Sequence, residues 1–457
     1  MKRNTELTGR VVFWDDPLYP GARLDFNRRF SKFPLLVVFC QETQDVRNAI
    51  RWARERGVPL RIRSGRHSFE AFSLVDGGII IDVSGLNQIR ADHDGRIARI
   101  GAGAQLLPLY RALDREGLTI PGGTCPTVGI AGLTLGGGFG MLTRLLGMLC
   151  DHLTGLEMVT ADGEIILADL KRNPDLFWAS RGGGGGNFGV VTSFAFKAFP
   201  ISNVAIFNIV WDWSAAEEVI KVWQEWAPGV DNRLTSIIRL FTPQDGRILS
   251  SGEFVGSADE LRCLLKPLLA VGRPNQAAIL TVPYFTAVET FGGIGPIAAQ
   301  FGIAESRPSK FKHTGSYVLQ ALPAPAIRTM IDFMAVAPSS INSIEFQSLA
   351  GAVRQIAPQE TAYFYREAGY NLHYKAQWLY DRMAEANIRW VENLRQTMLP
   401  WTAGAYVNFP DVLIADWPRA YYGANWERLK QVKREYDPEN VFRFPQSIPP
   451  AENRQRF

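Results

Sequence analysis

The chain has 457 residues, of which 46% are hydrophobic and 21% are charged, and its formal net charge at pH 7 is +4. This length predicts two or three domains, and the composition is that of a soluble globular protein. The basic residues form no tract, so nucleic acid is not expected as a partner. Apolar runs end well before the ~18 residues of a membrane span, and the first residues lack the apolar core of a signal peptide. We therefore expect no membrane contact and a cytoplasmic location.

The cysteine content excludes two kinds of architecture. The chain has four cysteines, Cys40, Cys125, Cys150 and Cys263. They are too few and too scattered for a disulfide framework or a zinc site. We therefore expect no bound metal.

The first hundred residues predict alternating strands and helices. The apolar run at 35–40 predicts a buried strand, and a helix follows whose buried face carries Val46, Ile50 and Ala53. A second strand, at 59–63, leads directly into a Ser-Gly turn. Strand, helix and strand together predict a βαβ unit that places this turn at the end of a sheet.

Two glycine-rich stretches follow. The first, at 121–140, contains Cys125 and no charged residue. Without a Cβ, glycine lets backbone N–H groups approach a ligand closely, which favours an anionic partner such as a dinucleotide pyrophosphate. In the second stretch Gly184, Gly186 and Gly189 match G-x-G-x-x-G, but the residues after them alternate like a strand. A Rossmann site needs a helix there, so we exclude one.

The second half of the chain predicts an α+β domain at 202–402. Ser214 with Glu217 and Ser257 with Glu260 predict capping boxes at the starts of two helices. Alternating residues predict strands at 236–241, 316–319, 343–347 and 369–375. One antiparallel sheet with helices on one face accounts for this pattern.

Four motifs along the chain are specific in combination, although each alone is weak. They are Arg-Ser-Gly-Arg-His-Ser at 63–68, Gly-Gly-Thr-Cys-Pro-Thr-Val-Gly at 122–129 with Gly-Gly-Gly-Phe-Gly at 136–140, Gly-Gly-Asn-Phe-Gly-Val at 185–190, and Tyr-Tyr-Gly-Ala-Asn at 421–425 with Asp-Pro-Glu-Asn-Val-Phe at 437–442 and Gln-Ser-Ile-Pro at 446–449. In this order they resemble the FAD-linked oxidases related to vanillyl-alcohol oxidase, in the berberine-bridge-enzyme-like branch.

This resemblance implies an α+β fold with a PCMH-type FAD-binding domain. That domain, at 1–201, would consist of two α/β subdomains, and the C-terminal segment at 403–457 would complete it. The residues at 202–402 would form a substrate domain that covers the flavin ring. The implied partners are FAD, a small-molecule substrate and O₂, and the implied oligomeric state is a monomer or a homodimer.

The resemblance also implies two covalent bonds to the cofactor. In the family, the histidine that matches His67 bonds to the flavin 8-methyl carbon, and the cysteine that matches Cys125 bonds to ring carbon C6. Imidazole and thiolate are nucleophiles that an electron-poor ring accepts. Val128 matches a position where a small branched residue gives O₂ access to the flavin, which favours an oxidase.

Further cofactor contacts follow from the resemblance by position. The loop that contains His67 and the glycine-rich stretch that contains Cys125 would wrap the cofactor, and four residues elsewhere would add contacts. The implied positions are Arg63, Ser64, Gly65, Arg66, Ser68, Gly123, Gly129, Gly132, Gly138 and Gly140, with Asp151, Val190, Tyr422 and Asn425 as the additional four.

Alcohol oxidation needs a base for the hydroxyl proton, and here the sequence departs from its relatives. One familiar base position of the family holds Phe409, which cannot take a proton, and another holds Asn371. Strand alternation places Asn371, His373 and Lys375 on one face. We expect His373 to act as the base.

Other candidates for the catalytic set are tyrosines and an amide. Tyr365, Tyr374 and Tyr406 are the rivals of His373 for the role of base. Gln347 resembles a position that lines the substrate site, and Asn371 would lie beside the substrate. The predicted catalytic set is therefore His373, Tyr406, Gln347 and Asn371.

The sequence thus predicts an FAD-dependent oxidase. It would transfer a hydride from an alcohol carbon of a sugar or secondary metabolite to bicovalently bound FAD, and then to O₂ to give H₂O₂. Amine oxidation or oxidative cyclisation of a natural product is an alternative, because an amine can give up hydride without a base. A flavin-bearing but catalytically idle structural protein is the alternative from a different class.

Overall fold

Two sheets lie in the first two hundred residues of the computed structural model, which describes residues 6–452. The strands there are β1 (Arg10–Phe13), β2 (Leu36–Phe39), β3 (Leu60–Arg63), β4 (Ile79–Asp82), β5 (Ile89–Asp92), β6 (Ile97–Gly101), β7 (Leu118–Thr119), β8 (Leu153–Val159), β9 (Ile165–Ala168), β10 (Val190–Lys197) and β11 (Phe199–Pro200). In spatial order, β1-β2-β4-β3 form one sheet and β5-β6-β10-β8-β9 the other, while β7 and β11 pair separately.

Six short helices accompany these strands within the described part of the chain. They are α1 (Tyr19–Ala22), α2 (Thr43–Glu55), α3 (Leu106–Asp114), α4 (Ile130–Leu135), α5 (Thr143–Leu146) and α6 (Pro174–Ala179). The predicted βαβ unit is present as β2, α2 and β3, with β4 inserted between the two strands and parallel to both. Val46, Ile50 and Ala53 are buried on α2, because they share the apolar face that packs on the sheet. Strand β10 follows the second glycine-rich stretch, as predicted.

A seven-stranded antiparallel sheet follows. Its strands are β12 (Asn203–Asp212), β13 (Leu234–Leu240), β14 (Arg247–Phe254), β15 (Gln276–Pro283), β16 (Lys310–Val318), β17 (Ser343–Ser348) and β18 (Tyr370–Trp378), in the spatial order β15-β12-β14-β13-β17-β18-β16. The α+β fold class is therefore confirmed. The division of the chain at residues 201 and 402 stays a prediction.

Helices cover one face of this sheet. The helices of this part are α7 (Ala216–Trp226), α8 (Ala258–Leu264), α9 (Lys266–Ala270), α10 (Tyr284–Phe291), α11 (Gly295–Gln300), α12 (Ala324–Ala335) and α13 (Ala384–Met398). Phe207 and Ile209 of β12 pack in one apolar cluster with residues of α7, α12 and α13. Val204 and Ile206 point to the opposite face, where they meet α10 and the first part of the chain.

One of the two predicted capping boxes is confirmed and the other is wrong. The Ser257 side chain accepts a hydrogen bond from the backbone N–H of Glu260, and the Glu260 carboxylate accepts one from the backbone N–H of Ser257. Before α7, by contrast, Trp213–Ala215 form a 3₁₀ turn, and the helix begins after Ala215 without a side-chain cap. The turn moves the helix start beyond the reach of Ser214.

The C-terminal segment returns to the first part of the chain. Its helices are α14 (Trp417–Tyr422) and α15 (Trp426–Tyr436). Tyr422, Leu429 and Val432 are buried in the same apolar cluster as residues of β2, β4 and β10. None of the helices within residues 6–452 is long and apolar enough to cross a membrane.

Candidate active site

A cavity of about 360 Å³ is lined by segments that are far apart in sequence. Its walls come from residues within 60–73, 123–139, 184–191 and 406–446, and from Gln347 on the seven-stranded sheet. The volume falls within the ~300–1,000 Å³ that is typical of ligand and cofactor sites. The cavity thus lies where the C-terminal segment and the large sheet meet the first part of the chain.

His67 and Cys125 both line this cavity. Nε2 of His67 lies 2.9 Å from the hydroxyl oxygen of Thr127, and Sγ of Cys125 lies 3.9 Å from the same oxygen. The ring of Phe26 stacks on His67 with 4.1 Å between centroids. Burial lowers the pKa of His67 to about 4, so the imidazole is neutral near pH 7 and keeps a lone pair for bonding. The two nucleophiles are therefore adjacent and share one hydroxyl neighbour.

The backbone around His67 is in close contact with the glycine-rich stretch. A Cβ added to Gly65 would lie 2.1 Å from the backbone nitrogen of Gly129, and one added to Gly129 would lie 2.5 Å from the nitrogen of Gly65. Ser64 fixes the loop by donating a hydrogen bond of 2.7 Å to the carbonyl of Ala102. Glycine is required at both positions, because any side chain would push the two loops apart.

Arginines give one end of the cavity a positive charge. Arg61, Arg66 and Arg443 line it, and burial lowers the pKa of both Arg61 and Arg66. The guanidinium of Arg63 is instead fully buried, with Nε 2.7 Å from Asp82 and an amino nitrogen 3.5 Å from Asp25. The side chain of Arg63 thus braces the loop. Arg66 also lies 3.5 Å from Asp82, and it lines the cavity with Arg61 and Arg443 as a group that an anionic ligand could contact.

A polar network on β13, β17 and β18 borders the cavity at Gln347. Asn371 donates a hydrogen bond of 3.1 Å to the side-chain oxygen of Gln347, and the amide nitrogen of Gln347 donates one of 3.2 Å to Glu345. Arg239 and Lys375 donate bonds of 2.8 and 2.9 Å to the other oxygen of Glu345. Despite burial, these two cations hold the pKa of Glu345 well below its usual range.

His373 lies behind the cavity wall rather than in it. Its ring stacks on Phe409, which lines the cavity, with 4.0 Å between centroids. Its Nδ1 lies 3.7 Å from Glu345, and burial lowers its pKa to about 4. His373 shares one sheet face with Asn371 and Lys375, as the alternation predicts. However, the Phe409 ring is the surface that the cavity presents at this point.

Tyr406 lines the cavity as a hydrogen-bond donor. Its hydroxyl oxygen accepts a bond of 2.9 Å from the backbone N–H of Gly138 and one of 3.0 Å from the Asn408 amide. Both lone pairs are then used, which leaves the phenolic hydrogen for a ligand. Burial raises the pKa of Tyr406, so it remains protonated near pH 7.

Comparisons with known proteins decide the family. A family model described as an FAD binding domain matches residues 34–169, and one described as berberine and berberine like matches residues 405–449. The chain is 48% identical to the uncharacterized FAD-linked oxidoreductase YgaK of Bacillus subtilis, over 98% of both proteins. The chain belongs to the berberine-bridge-enzyme-like FAD-linked oxidoreductases.

Similar structures and more distant relatives agree with this assignment. BBE-like 1 of Physcomitrella patens superposes with a TM-score of 0.91 at 30% identity, over 97% of each chain. A xylooligosaccharide oxidase of Thermothelomyces thermophilus is 28% identical, over 93% of this chain and 89% of the relative. The prediction of an FAD-binding oxidoreductase of this family, made from the motifs, is therefore confirmed.

The residues of the cavity fit the FAD of a berberine-bridge-enzyme-like protein. The contact between Gly65 and Gly129 lets backbone approach a flat ligand, and the arginines at one end match a pyrophosphate. His67 and Cys125 line the cavity with two nucleophilic side chains. Among residues 6–452, no cluster of three or more histidines, cysteines or carboxylates is arranged to hold a metal ion.

Most of the predicted cofactor positions border the cavity. Those that line it are Arg63, Ser64, Gly65, Arg66, His67, Ser68, Gly123, Cys125, Val128, Gly129, Gly132 and Tyr422. They come from three of the four motifs, which the fold brings together at the ends of β3 and α14 and at the start of α4. Direct contact of each with FAD stays a prediction.

Five predicted cofactor positions lie outside the lining of the cavity. The Asp151 carboxylate is bonded to Arg366 at 2.7 Å by both oxygens, and the Asn425 amide donates to backbone carbonyls, 2.7 Å away for Pro358. Gly140 packs against the Gly122 carbonyl, and Gly138 donates to Tyr406. In β10 Val191 lines the cavity and Val190 does not. These five residues thus lie behind the lining of the cavity, where they contact other residues of the protein.

The predicted catalytic residues divide in the same way. Tyr406 and Gln347 line the cavity, and Asn371 reaches it only through Gln347. Of the rival bases, Tyr374 is buried in the apolar cluster under the helices, and Tyr365 donates its hydroxyl hydrogen to the Arg419 carbonyl. Neither of them lines the cavity, so neither lies where it would meet a substrate directly.

Several residues of the site were missed by sequence reasoning. Arg443 lines the cavity and directly follows the motif at 437–442, so that motif could have indicated it. Thr127 lies inside the motif at 122–129, but the motif gave it no role of its own. Phe26 and Glu345 lie in no motif, because their roles depend on tertiary contacts.

Proposed function

We propose that this chain is an oxidase that holds FAD by two covalent bonds and oxidises an alcohol carbon of a sugar. The observation that carries the proposal is the pair His67 and Cys125, which line one cavity beside a single hydroxyl. When bound, FAD supplies the hydride acceptor and passes the electrons to O₂ as H₂O₂. Substrate binding, orientation and proton handling belong to the chain.

The geometry supports attachment at two positions of one flavin ring. Nε2 of His67 is engaged by Thr127, which leaves Nδ1 as the nitrogen for the flavin 8-methyl carbon. Cys125 would bond to C6. Both carbons belong to the dimethylbenzene ring of the flavin, which agrees with two nucleophiles that share one hydroxyl neighbour.

Tyr406 and Gln347 would hold the substrate hydroxyl. Tyr406 has a free phenolic hydrogen to donate, and Gln347 has one amide hydrogen and one lone pair beyond its bonds to Glu345 and Asn371. Two oriented polar groups beside an aromatic wall, Phe409, suit a hydroxyl on a carbon framework.

The proton of the substrate hydroxyl has no carboxylate to accept it in the described lining of the cavity. His373 is neutral but lies behind Phe409, so a direct role as base requires the ring of Phe409 to move. An anomeric hydroxyl is more acidic than an ordinary alcohol and needs less help from a base. A reducing sugar is therefore the substrate class we favour, and the name of the xylooligosaccharide oxidase relative agrees with it.

The test combines a cofactor assay with a substrate panel. Acid-precipitated wild-type protein should stay yellow, His67→Ala and Cys125→Ala should each keep one link, and the double variant should release all its flavin. Wild-type protein should form H₂O₂ with D-glucose, xylobiose or chitobiose, whereas simple alcohols and amines should give far less. Peroxide from amines alone would replace the sugar proposal, and a yellow protein that is silent on the whole panel would indicate the idle structural role.

A further inference from the structure

Within residues 6–452, Thr127 is the residue whose hydroxyl neighbours both nucleophiles, and it does not itself line the cavity. Its oxygen lies 2.9 Å from Nε2 of His67 and 3.9 Å from Sγ of Cys125. A hydroxyl has one hydrogen and two lone pairs, so it can accept from one neighbour while it donates to the other. Its place between an imidazole and a thiol raises the question of which group donates to which.

Only one direction of hydrogen bonding makes both groups nucleophilic. If Nε2–H of His67 donates to the Thr127 oxygen, the lone pair of the ring lies on Nδ1 and is free to form a bond. The Thr127 hydrogen is then donated to Sγ of Cys125, and a hydrogen bond to the charged form of a group favours that form. The opposite direction places the hydrogen on Nδ1 and leaves the thiol protonated.

We propose that Thr127 is the positioning residue that directs covalent attachment of FAD, by fixing the His67 tautomer and favouring the Cys125 thiolate. This inference rests on the bicovalent attachment in the proposed function. In each attachment an N–H or S–H bond and a flavin C–H bond break, and one N–C or S–C bond forms. O₂ takes the two electrons and both protons as H₂O₂, so the balance closes without a further reactant.

The surroundings of Thr127 support this role. Phe26 stacks on the imidazole at 4.1 Å and holds the ring plane, so the remaining freedom of His67 is rotation by a ring flip. The hydrogen bond to Thr127 selects between the two flipped states. Pro126 precedes Thr127 and limits the backbone of this turn, which keeps the hydroxyl between its two neighbours.

The experiment compares isolated holoproteins of wild type, Thr127→Val and Thr127→Ser. Valine matches threonine in shape and lacks the hydroxyl, whereas serine keeps the hydroxyl and lacks the methyl group. Peptide mass spectrometry measures the fraction of His67 and of Cys125 that carries flavin, and alkylation with iodoacetamide counts the free Cys125 thiol. We expect valine to lower the linked fraction of Cys125 by about tenfold or more, with a smaller loss at His67, and serine to retain both links.

Each other outcome also decides the question. Full double linkage in Thr127→Val overturns the inference while the proposed function stands. Loss of linkage in both variants overturns it too, because shape rather than the hydroxyl would then matter. A wild-type protein without linked flavin defeats the proposed attachment itself. Circular dichroism and acid-releasable FAD show whether Thr127→Val is folded, and Thr127→Ala replaces it if it is not.

Discussion

Glu253 is a buried carboxyl group without a charged partner. It lies on β14 and faces a small cavity of about 20 Å³ that is also lined by Tyr110, Tyr284 and Gly122. Such a space is large enough for one water molecule. One of its oxygens has no hydrogen-bond partner in the protein, and burial raises the pKa of Glu253 to about 8. The group is therefore neutral at physiological pH, next to the turn that carries Cys125.

Replacement of Glu253 by glutamine should reduce the decrease in the free energy of unfolding that wild type shows at high pH. The pKa of Glu253 is raised on folding. The stability that its protonated form contributes to the folded protein is therefore fully present below about pH 4.5 and is lost as the pH rises through about 8. At pH 9 we expect the free energy of unfolding of Glu253→Gln to exceed that of wild type by on the order of 5 kcal/mol, and near pH 5 the two should be similar. Urea unfolding from pH 5 to pH 9 measures this, with the exposed Glu218→Gln on α7 as the matched control. Parallel curves for wild type and Glu253→Gln would show that the carboxyl group is hydrated in the folded protein.

The sequence located individual residues well only where a motif surrounded them. His67 and Cys125 were found in this way, and both line the cavity. His373 was chosen from strand alternation. Alternation predicts which face of a sheet a side chain lies on, but not which residues from other segments cover that face. Phe409 comes from a segment far along the chain, so its ring on His373 could not be predicted.

At the scale of elements, a buried lysine on β16 ties three segments together. Nζ of Lys312 lies 2.6 Å from Glu70 and 3.4 Å from Glu392 of α13, and it also contacts Asp411 of the C-terminal segment. Although burial opposes its charge, these carboxylates raise the pKa of Lys312. Phe69 and Phe409, which lie close to Glu70 and Asp411 in sequence, line the cavity, so this cluster supports the aromatic wall.

Substitution of Lys312 by methionine should destabilise the protein strongly. It would leave Asp411 buried without its cation and Glu70 with Arg29 as its remaining partner, and breaking a buried pair in this way costs about 3–5 kcal/mol. Lys310→Met is the matched control, because Lys310 lies on the same strand and pairs with the exposed Asp381. The free energy of unfolding of Lys310→Met should fall by only about 0–1 kcal/mol. Urea midpoints of the two holoproteins decide the matter, and equal losses would mean that the Lys312 cluster is hydrated.

Predictions about single strands and helices succeeded where neighbouring residues alone determine the structure. The strand β18 and the face shared by Asn371 and His373 follow from alternation and hold in the structure. The capping box at Ser257 is equally local and was confirmed, whereas the one at Ser214 was wrong because a 3₁₀ turn intervenes. The insertion of β4 between β2 and β3 is a long-range pairing, which no local pattern contains.

The whole molecule is joined by polar contacts that cross between its two parts. Arg144 of α5 is buried and donates to the carbonyls of Leu234 at 2.8 Å, Leu349 at 2.6 Å and Val230 at 2.6 Å. Nearby, Arg366 forms its two-pronged bond with Asp151. The order of the motifs indicated two parts and a returning C-terminus, but these joints involve residues outside every motif. Their positions could be learned only from the folded chain.

We therefore expect the hydrogen bonds of Arg144 to stabilise the packing of the large sheet on the first part of the chain. Burial lowers its pKa to about 10, yet it remains charged at pH 7, and it has carbonyl oxygens rather than a carboxylate as its direct partners. Arg144→Met would leave several buried carbonyls without a donor, at a cost of roughly 2–4 kcal/mol. Arg144→Lys should recover only part of this loss, because an ammonium group cannot reproduce the planar fork of five donors.

The measurement for Arg144 is thermal unfolding of the holoproteins followed by limited proteolysis below the midpoint. We expect Arg144→Met to unfold at lower temperature and to be cut first in the loops at 228–234 and 349–351, whose carbonyls it no longer binds. Arg262→Met, at an exposed arginine of α8, is the control and should unfold like wild type. If Arg144→Met also matched wild type in midpoint and cleavage pattern, water would be satisfying those carbonyls, and the sheet would be held by apolar contacts such as those of Ile206 and Val282 with Met141. The large sheet covers the cavity through Gln347, so a loosened sheet should also expose the cofactor site to solvent.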